Sequence, residues 1–343
     1  MKRLRNTLYV NQPDRYLSLD GENVVISCEQ KEIGRVPLHN LEQIVTFGHA
    51  GTSPALMGKC ARDGISLVFM SRSGHFLARV EGEVRGNVLL RREQYRIADD
   101  ARRSLEIARS MICAKLYNSR WVLERMIRDH APRIDAEMFR QRSQYLKAAI
   151  VDAGAAADAD SLRGIEGEAA SIYFSVFNDM ILQQKDGFTF TVRSRRPPLD
   201  RVNALLSFAY SMMTNQCAAS LEAVGLDPYV GFLHTDRPGR KSLALDLVEE
   251  FRSVCCDRFV LTLINKRYLQ PEHFEQREDG AVLLTEAGRR LFIEYWQKRK
   301  YEELRHPYLE DKLEWGMLPY VQSLLLARHI RGDLDAYPPF LWK

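Results

Sequence analysis

The sequence has six cysteines, Cys28, Cys60, Cys113, Cys217, Cys255 and Cys256, yet no CxxC pair and no spacing suited to a zinc knuckle. Those absences argue against a zinc-ribbon or disulfide scaffold and fit reduced, partly buried thiols in a cytoplasmic protein. No apolar run approaches the length of a membrane span, and the opening MKRLRNTLYVNQPDRY is basic without the apolar stretch of a signal peptide, so no membrane partner is expected. Internal repeats and low-complexity tracts are missing too. Charge of one sign is also in short supply. With 49 Lys and Arg against 45 Asp and Glu the net charge is only +4, so bulk charge allows a polyanionic partner without demanding one. Local clustering has to decide.

What is present is ample for folding. A chain of 343 residues exceeds the usual size of one core, which makes two domains the first expectation, and 45% hydrophobic with 27% charged residues is ordinary globular composition. From Leu8 to about Tyr95 short apolar or alternating runs predict strands: YLSLDGENVVISC as two strands about an Asp20-Gly21 turn, then KEIGRVPL, EQIVTFG, ISLVFMS and HFLARVEG. One helix interrupts them, with Ser53 as cap, Pro54 at its first position and Gly64 as its stop. From Asp99 onward apolar residues recur every three or four positions, as at Leu105, Ala108, Ile112, Leu116 and Leu123, and helices are expected up to about residue 331. Ser161 is expected to open one of them after an uncapped AAADADS connection, and DGFTFTVRSRRPPLD is expected as a loop because Pro197-Pro198 cannot continue a helix. The fold class is therefore α+β, a small N-terminal β-domain over residues 1–95 followed by a larger all-α domain over residues 99–343.

Two segments stand out for chemistry, LRGIEGEAASIYF and GFLHTDRPGRKSLALDLVEEFR. Glu166, His234, Asp246, Glu249 and Glu250 offer one imidazole and several carboxylates, a mixed nitrogen and oxygen set suited to Mn²⁺ or Mg²⁺. Asp246 and Glu249 are three apart and fall on one helical face, where two like charges need a cation or an arginine beside them. Glu168, two residues after Glu166, points elsewhere. Each of these residues also has a plain structural reading. Glu166 suits the first turn of a helix against its dipole, His234 suits a hydrogen-bonded packing position, and the two acids suit a solvated face answered by Arg252.

Basic residues gather at Arg91-Arg92 with Arg96, at Arg193, Arg195 and Arg196, at Arg237, Arg240 and Lys241, and at Lys266-Arg267. Three of these clusters sit in expected loops near the candidate site, a distribution that favours a path for a polyanion and hence phosphate chemistry at the metal. Asn203, Ser207 and Tyr210 share one helical face, either as buried polar structure or as lining of the same pocket. Two other classes fit the same residues: an iron-dependent oxygenase using one histidine and two carboxylates, or a DNA-binding scaffold whose acidic cluster is structural.

At these residues the sequence resembles the CRISPR-associated integrase family, the first Cas protein. The matching blocks run nearly end to end: LYV and YLSLDGENVVI, RVPLHNLEQIVTFG, GKCARDGISLVFMSRSGHFLARV, LRGIEGEAASIYF, RSRRPPLDRVNALLSFAYSMM, GLDPYVGFLHTDRPGRKSLALDLVEEFR and YPPFLWK. The closing ARHIRGDLDAYPPFLWK resembles the type I-C branch. The resemblance implies an N-terminal β-domain joined to a helical catalytic domain, with metal ligands and catalytic residues Glu166, His234 and Glu249. Asp246 and Arg252 are implied as supporting residues, Arg252 beside the scissile phosphate. It further implies a DNA endonuclease and integrase that joins prespacer 3′-hydroxyls to a CRISPR repeat by transesterification. The implied partners are double-stranded DNA, a second copy in a homodimer, and a small ferredoxin-like second Cas protein completing a heterohexamer.

Overall fold

The computed structural model describes residues 6–12, 14–48, 51–71, 76–83 and 87–342. His75, at the head of one expected strand, and the basic residues before Asn6 lie outside the described residues. Seven strands build the N-terminal part: β1 (Asn6–Val10), β2 (Tyr16–Asp20), β3 (Asn23–Cys28), β4 (Lys31–Pro37), β5 (Leu41–Phe47), β6 (Ser66–Met70) and β7 (Phe76–Val80). They form two sheets. β2-β3-β4 is an antiparallel meander turning at Gly21, whose φ of +57° falls in the region glycine tolerates best. The other sheet runs β1-β5-β6-β7, with β1, β5 and β6 parallel and β7 antiparallel. Helix α1 (Pro54–Asp63) makes the crossover between β5 and β6, capped by Ser53 and stopped at Gly64 as the sequence predicts.

Alternation along β5 and β6 divides their side chains between two cores. Ile44 and Leu67 point into a small core with Val10, Leu17, Val24, Leu38 and Leu56. Val45, Phe47, Val68 and Met70 point the other way, into the main helical core. The sheet is thus welded to the helices by one of its own faces, each large apolar side chain so buried contributing about 1.5–3 kcal/mol.

The helices are α2 (Val88–Asp99), α3 (Ala101–His130), α4 (Ala136–Ala155), α5 (Ala159–Phe174), α6 (Arg201–Ala223), α7 (Ser242–Val248), α8 (Arg258–Asn265), α9 (Glu286–Lys300) and α10 (Leu318–Ile330). Several points differ from the expectation. The stretch up to Tyr95 ends in helix α2, not strand, and its Leu90 and Ile97 join the helical core. The helix expected to open at Ser161 starts at Ala159. Asp158 caps it by accepting from the Ser161 amide at 2.8 Å, so the connection is capped after all. The all-α region also carries two hairpins, β8 (Phe274–Gln276) with β9 (Val282–Leu284) and β10 (Glu303–Arg305) with β11 (Lys312–Glu314). Strands of three residues leave too short an alternation to register in a sequence. The segment 186–200 is a loop as expected.

Helix α3 is the spine, packing on α2, α4, α5 and α7. Residues 241–257, within the region expected to be helical, break into α7, a tightened turn at Glu249–Phe251 with i→i+3 bonding, and a wide π-type turn over Arg252–Asp257 before α8. Such turns re-aim side chains at functional sites.

Candidate active site

Glu166 lies in the middle of α5, not in its first turn, so the helix-dipole reading of this residue does not apply. Its carboxylate is half-exposed and pairs with the Lys115 ammonium from α3. The same Lys115 Nζ stands 2.6 Å from Oε2 of Glu249, while Arg252 Nη2 stands 2.7 Å from Oε1 of that carboxylate. Two cations and two carboxylates therefore close on each other in a cluster where Glu249 is 4% exposed. Burial pushes the Glu249 carboxyl up, but Arg252, Lys115 and His234 together outweigh it and hold it at about 2. Oε2 of Glu249 is buried and accepts no hydrogen bond of good angle, its contact with Lys115 being an ion pair only. A buried acceptor left in that state is suited to a cation.

Asp246 does different work. It is 1% exposed, and its carboxylate accepts the amides of Phe232 at 2.6 Å, Leu233 at 3.0 Å and His234 at 3.0 Å. His234 Nδ1 lies 2.5 Å from Oδ1 of the same carboxylate. A carboxylate oxygen accepts, so Nδ1 donates to Asp246 and the ring turns its Nε2 away from that residue. The approach is so close that a Cβ on Gly231 would meet Asp246 Oδ2 at 2.8 Å and Ser242 at 2.8 Å, which is why this position has no side chain. Gln94 of α2 bonds the Asp227 amide and the Asp227 and Val230 carbonyls, and Ser104 of α3 donates to the Phe232 carbonyl at 2.9 Å. The strand-like run before His234 is thereby fixed from three sides.

Glu250, next to Glu249, faces the opposite way. It is wholly buried and accepts Tyr337 Oη at 2.5 Å, Gln322 Nε2 at 2.9 Å and the Phe340 amide at 2.8 Å, so it anchors the C-terminal segment and cannot join a metal with Glu249. Asn118 of α3 completes that anchor, donating to the carbonyls of Glu250 and Phe340 and accepting from the Trp342 amide at 2.8 Å. Glu168 faces α4, where it bonds Tyr145.

A narrow pocket runs past Lys115, Glu166, Arg195, Tyr210, Arg252 and Asp257. Tyr210 Oη donates to Asp257 Oδ1 at 2.5 Å, and burial lifts the Asp257 carboxyl to about 6 despite that bond. Arg193 donates to Asn203 Oδ1 at 2.6 Å and Ser207 Oγ at 3.1 Å and stacks on the ring of the pocket-lining Tyr210 at 5.3 Å. Asn203 is fully buried and ties residues 192–194 to α6, which settles it as structure and not lining. Lys241 differs from the expectation as well. It is buried against the Phe76 ring at 3.5 Å and donates to Asn215 at 2.9 Å, where it pins the loop to the β-sheet and faces no solvent path. Arg196 and Arg237 are exposed and Arg240 half-exposed. Lys266 and Arg267 are exposed at the end of α8, where Arg267 bonds Gln183 at 3.0 Å, away from the pocket lining.

Among the described residues no three histidine, cysteine or acidic side chains stand together at metal-ligand spacing. The point between Glu166 and Glu249 is taken by Lys115, which the sequence reading missed. A signal for it exists: Lys115 lies on the stripe Met111, Lys115, Asn118, Val122, where no other charged residue stands, and a buried lysine needs carboxylates.

Residues 8–298 match the family described as CRISPR associated protein Cas1. The chain belongs to the Cas1 family. A curated Cas1 relative from Rhodospirillum rubrum, named CRISPR-associated endonuclease Cas1 2, is 50% identical over 347 residues, covering 100% of both chains. Among solved structures, a casposase bound to integration product has the same fold at a TM-score of 0.83 and 21% identity, covering 99% of this chain and 95% of its own. A Cas6-RT-Cas1--Cas2 complex contains it at a TM-score of 0.83 and 22% identity, covering 100% of this chain but 36% of the longer one. The β region followed by a mostly helical domain is thus the Cas1 architecture. Among the described residues no helix of this Cas1-family chain is long and apolar enough to cross a membrane.

Proposed function

We propose that this Cas1-family enzyme is a metal-dependent DNA integrase of the type I-C branch, inserting short prespacers into a CRISPR array. Glu166, His234 and Glu249 would hold Mn²⁺ or Mg²⁺, with Asp246 orienting the imidazole. The single observation that carries this is the convergence of two carboxylates on one cation, the Lys115 ammonium, beside a histidine whose Nε2 is left free. When bound, the divalent ion supplies Lewis-acid polarisation of a phosphate oxygen and stabilises developing charge.

The protein's own residues do the rest. Lys115 yields its place between the two carboxylates and stays near as a positive charge. Arg252, clamped by Glu249 and stacked on Tyr210 at 5.1 Å, offers its remaining guanidinium edge to the scissile phosphate. A 3′-hydroxyl of the prespacer gives up its proton to solvent and forms a new P–O bond at the edge of the repeat, the P–O bond to the flanking nucleotide's 3′-oxygen breaks, and the departing oxygen takes up a proton. No protein nucleophile is needed. Arg195, Arg196, Arg237 and Arg240 contact the backbone of double-stranded DNA, and Lys266 and Arg267 extend that path. The β-domain, residues 1–95, carries homodimer and partner contacts, the partner being a small ferredoxin-like second Cas protein in a heterohexamer. The helical domain, residues 99–343, carries the chemistry, and the assembly works in the cytoplasm.

The test mixes the protein, its small partner, Mn²⁺ and a labelled prespacer with a plasmid bearing the repeat. Label joined covalently to the plasmid is expected; DNA binding with neither joining nor cutting in Mn²⁺ would leave only a scaffold.

A further inference from the structure

A second group of arginines lies outside the candidate site. A pocket of about 600 Å³ opens between Arg125 of α3, Arg258 of α8 and Arg299 of α9, closed at the back by Trp315 and Trp342. Arg258 lies on the Trp342 ring at 4.2 Å and Arg125 lies over the same ring at 5.4 Å, while Arg299 lies on Trp315 at 4.3 Å. Stacking of this kind fixes the plane of a guanidinium and leaves its N–H edge free for an oxyanion.

The charges at this wall are only partly answered. Arg125 reaches Asp129 at 3.3 Å and Arg299 pairs with Glu302, both carboxylates being well exposed. Glu303 and Glu310 also border the pocket, but Glu310 faces Arg305 and Glu303 is exposed on its strand. Arg258 makes no side-chain hydrogen bond or ion pair among the described residues, and its Nη1 is buried without a partner. Burial and repulsion from Arg125 and Arg299 lower its guanidinium to about 10, still charged at neutral pH. A buried donor on an uncompensated cation is costly, and an arriving anion offsets that cost.

We infer that the Arg125, Arg258 and Arg299 pocket binds a phosphate group of the DNA strand, at a point separate from the reacting phosphate. The inference rests on the DNA-joining reading above. Lys115 and Arg125 are ten residues apart on one helix, which places the pocket roughly 15 Å from the centre at 1.5 Å per residue. The wall therefore meets a different phosphate of a strand whose reacting end lies between Glu166 and Glu249. The ligand chemistry, a phosphate oxyanion in a guanidinium fork, is shared by free phosphate, and the test separates the two sources.

Anisotropy of a labelled duplex with single-stranded ends, titrated across a salt series, is the measurement. Arg258→Gln is expected to weaken binding about 3- to 10-fold and to lower the log–log salt slope by about 0.9 for one lost contact, with Arg125→Gln adding a similar decrement. Arg258→Lys should recover the slope but not all of the affinity, because the charge returns without the fork. Arg299→Gln serves if Arg258→Gln does not fold. An unchanged slope in the folded Arg125→Gln, Arg258→Gln pair overturns the inference. So does a rise in melting temperature with inorganic phosphate that Arg258→Gln abolishes while the DNA slope stays the same, which would make this a free-phosphate site. Strand joining by the wild type with no loss of slope in the variants sinks the pocket and keeps the integrase reading; the reverse pattern keeps the pocket and sinks that reading.

Discussion

Two clusters of charge ride on the same helical segments and follow opposite rules. Around Lys115, cations and carboxylates are matched in number, and Glu249 keeps one oxygen without a hydrogen bond. Around Arg258, guanidiniums crowd together with indole rings and the innermost has no carboxylate at all. The first cluster gathers two carboxylates on one ammonium and is suited to a cation; the second has surplus donors and is suited to an anion. Asp257 stands between them, one residue before Arg258 and inside the pocket that Glu166 lines. Polarity reverses over a single turn of chain.

Six substitutions test that contrast. The largest effect is expected at the matched cluster: Glu166→Ala, His234→Ala and Glu249→Ala should each abolish strand joining while DNA affinity, which comes from phosphate contacts, stays near normal. Joining assays beside melting curves decide it, and near-wild-type joining by any one folded variant removes that residue from the ligand set. Asp246→Asn comes next, with a loss of about 10- to 100-fold that is partly recovered at high Mn²⁺, because the side chain orients a ligand. Equal inactivity at every metal concentration would move Asp246 into the ligand set.

Lys115→Met should act on stability more than on rate. Without the ammonium, Glu166 and Glu249 face each other, so the melting temperature should fall by several degrees in EDTA and recover on adding Mn²⁺. An EDTA melting point equal to wild type would mean that the ammonium does not balance the acids. The smallest effect belongs to Asp257→Asn. Its folded carboxyl is raised from 3.8 to about 6, so the native state binds more protons than the unfolded chain between those values and stability falls as pH rises through that window. The variant should flatten the fall, by at most about 1.4 kcal/mol per pH unit, in denaturant titrations between pH 4 and 6. Parallel curves for the two proteins would count against it.

Much of this was legible before the fold was seen. Alternation located the strands, apolar periodicity located the long helices, and the spacing of Asp246 and Glu249 marked a charged pair in need of compensation. What escaped did so for physical reasons. Glu249 and Glu250 are neighbours about 100° apart on a helical turn, and nothing local says which one faces α5. Lys241 sits in a basic loop that reads as surface; only the arrival of Phe76 from the distant β7 buries it. Lys115 and the tryptophan-backed arginines depend on chain segments far apart in sequence, so their chemistry exists only once α3, α8, α9 and the last residues have met.

That last dependence gives synthesis a role. Asn118 and Glu250 find their partners at residues 337–342, which follow Glu250 by 90 residues and Asn118 by more than 220. At about 5–20 residues per second, roughly 5–20 s separate the translation of Glu250 from that of the segment that covers it. During that interval the buried side of Glu250 is wet and unbraced, so the turn that carries Glu249 gains its rear support only once residues 337–342 have been made.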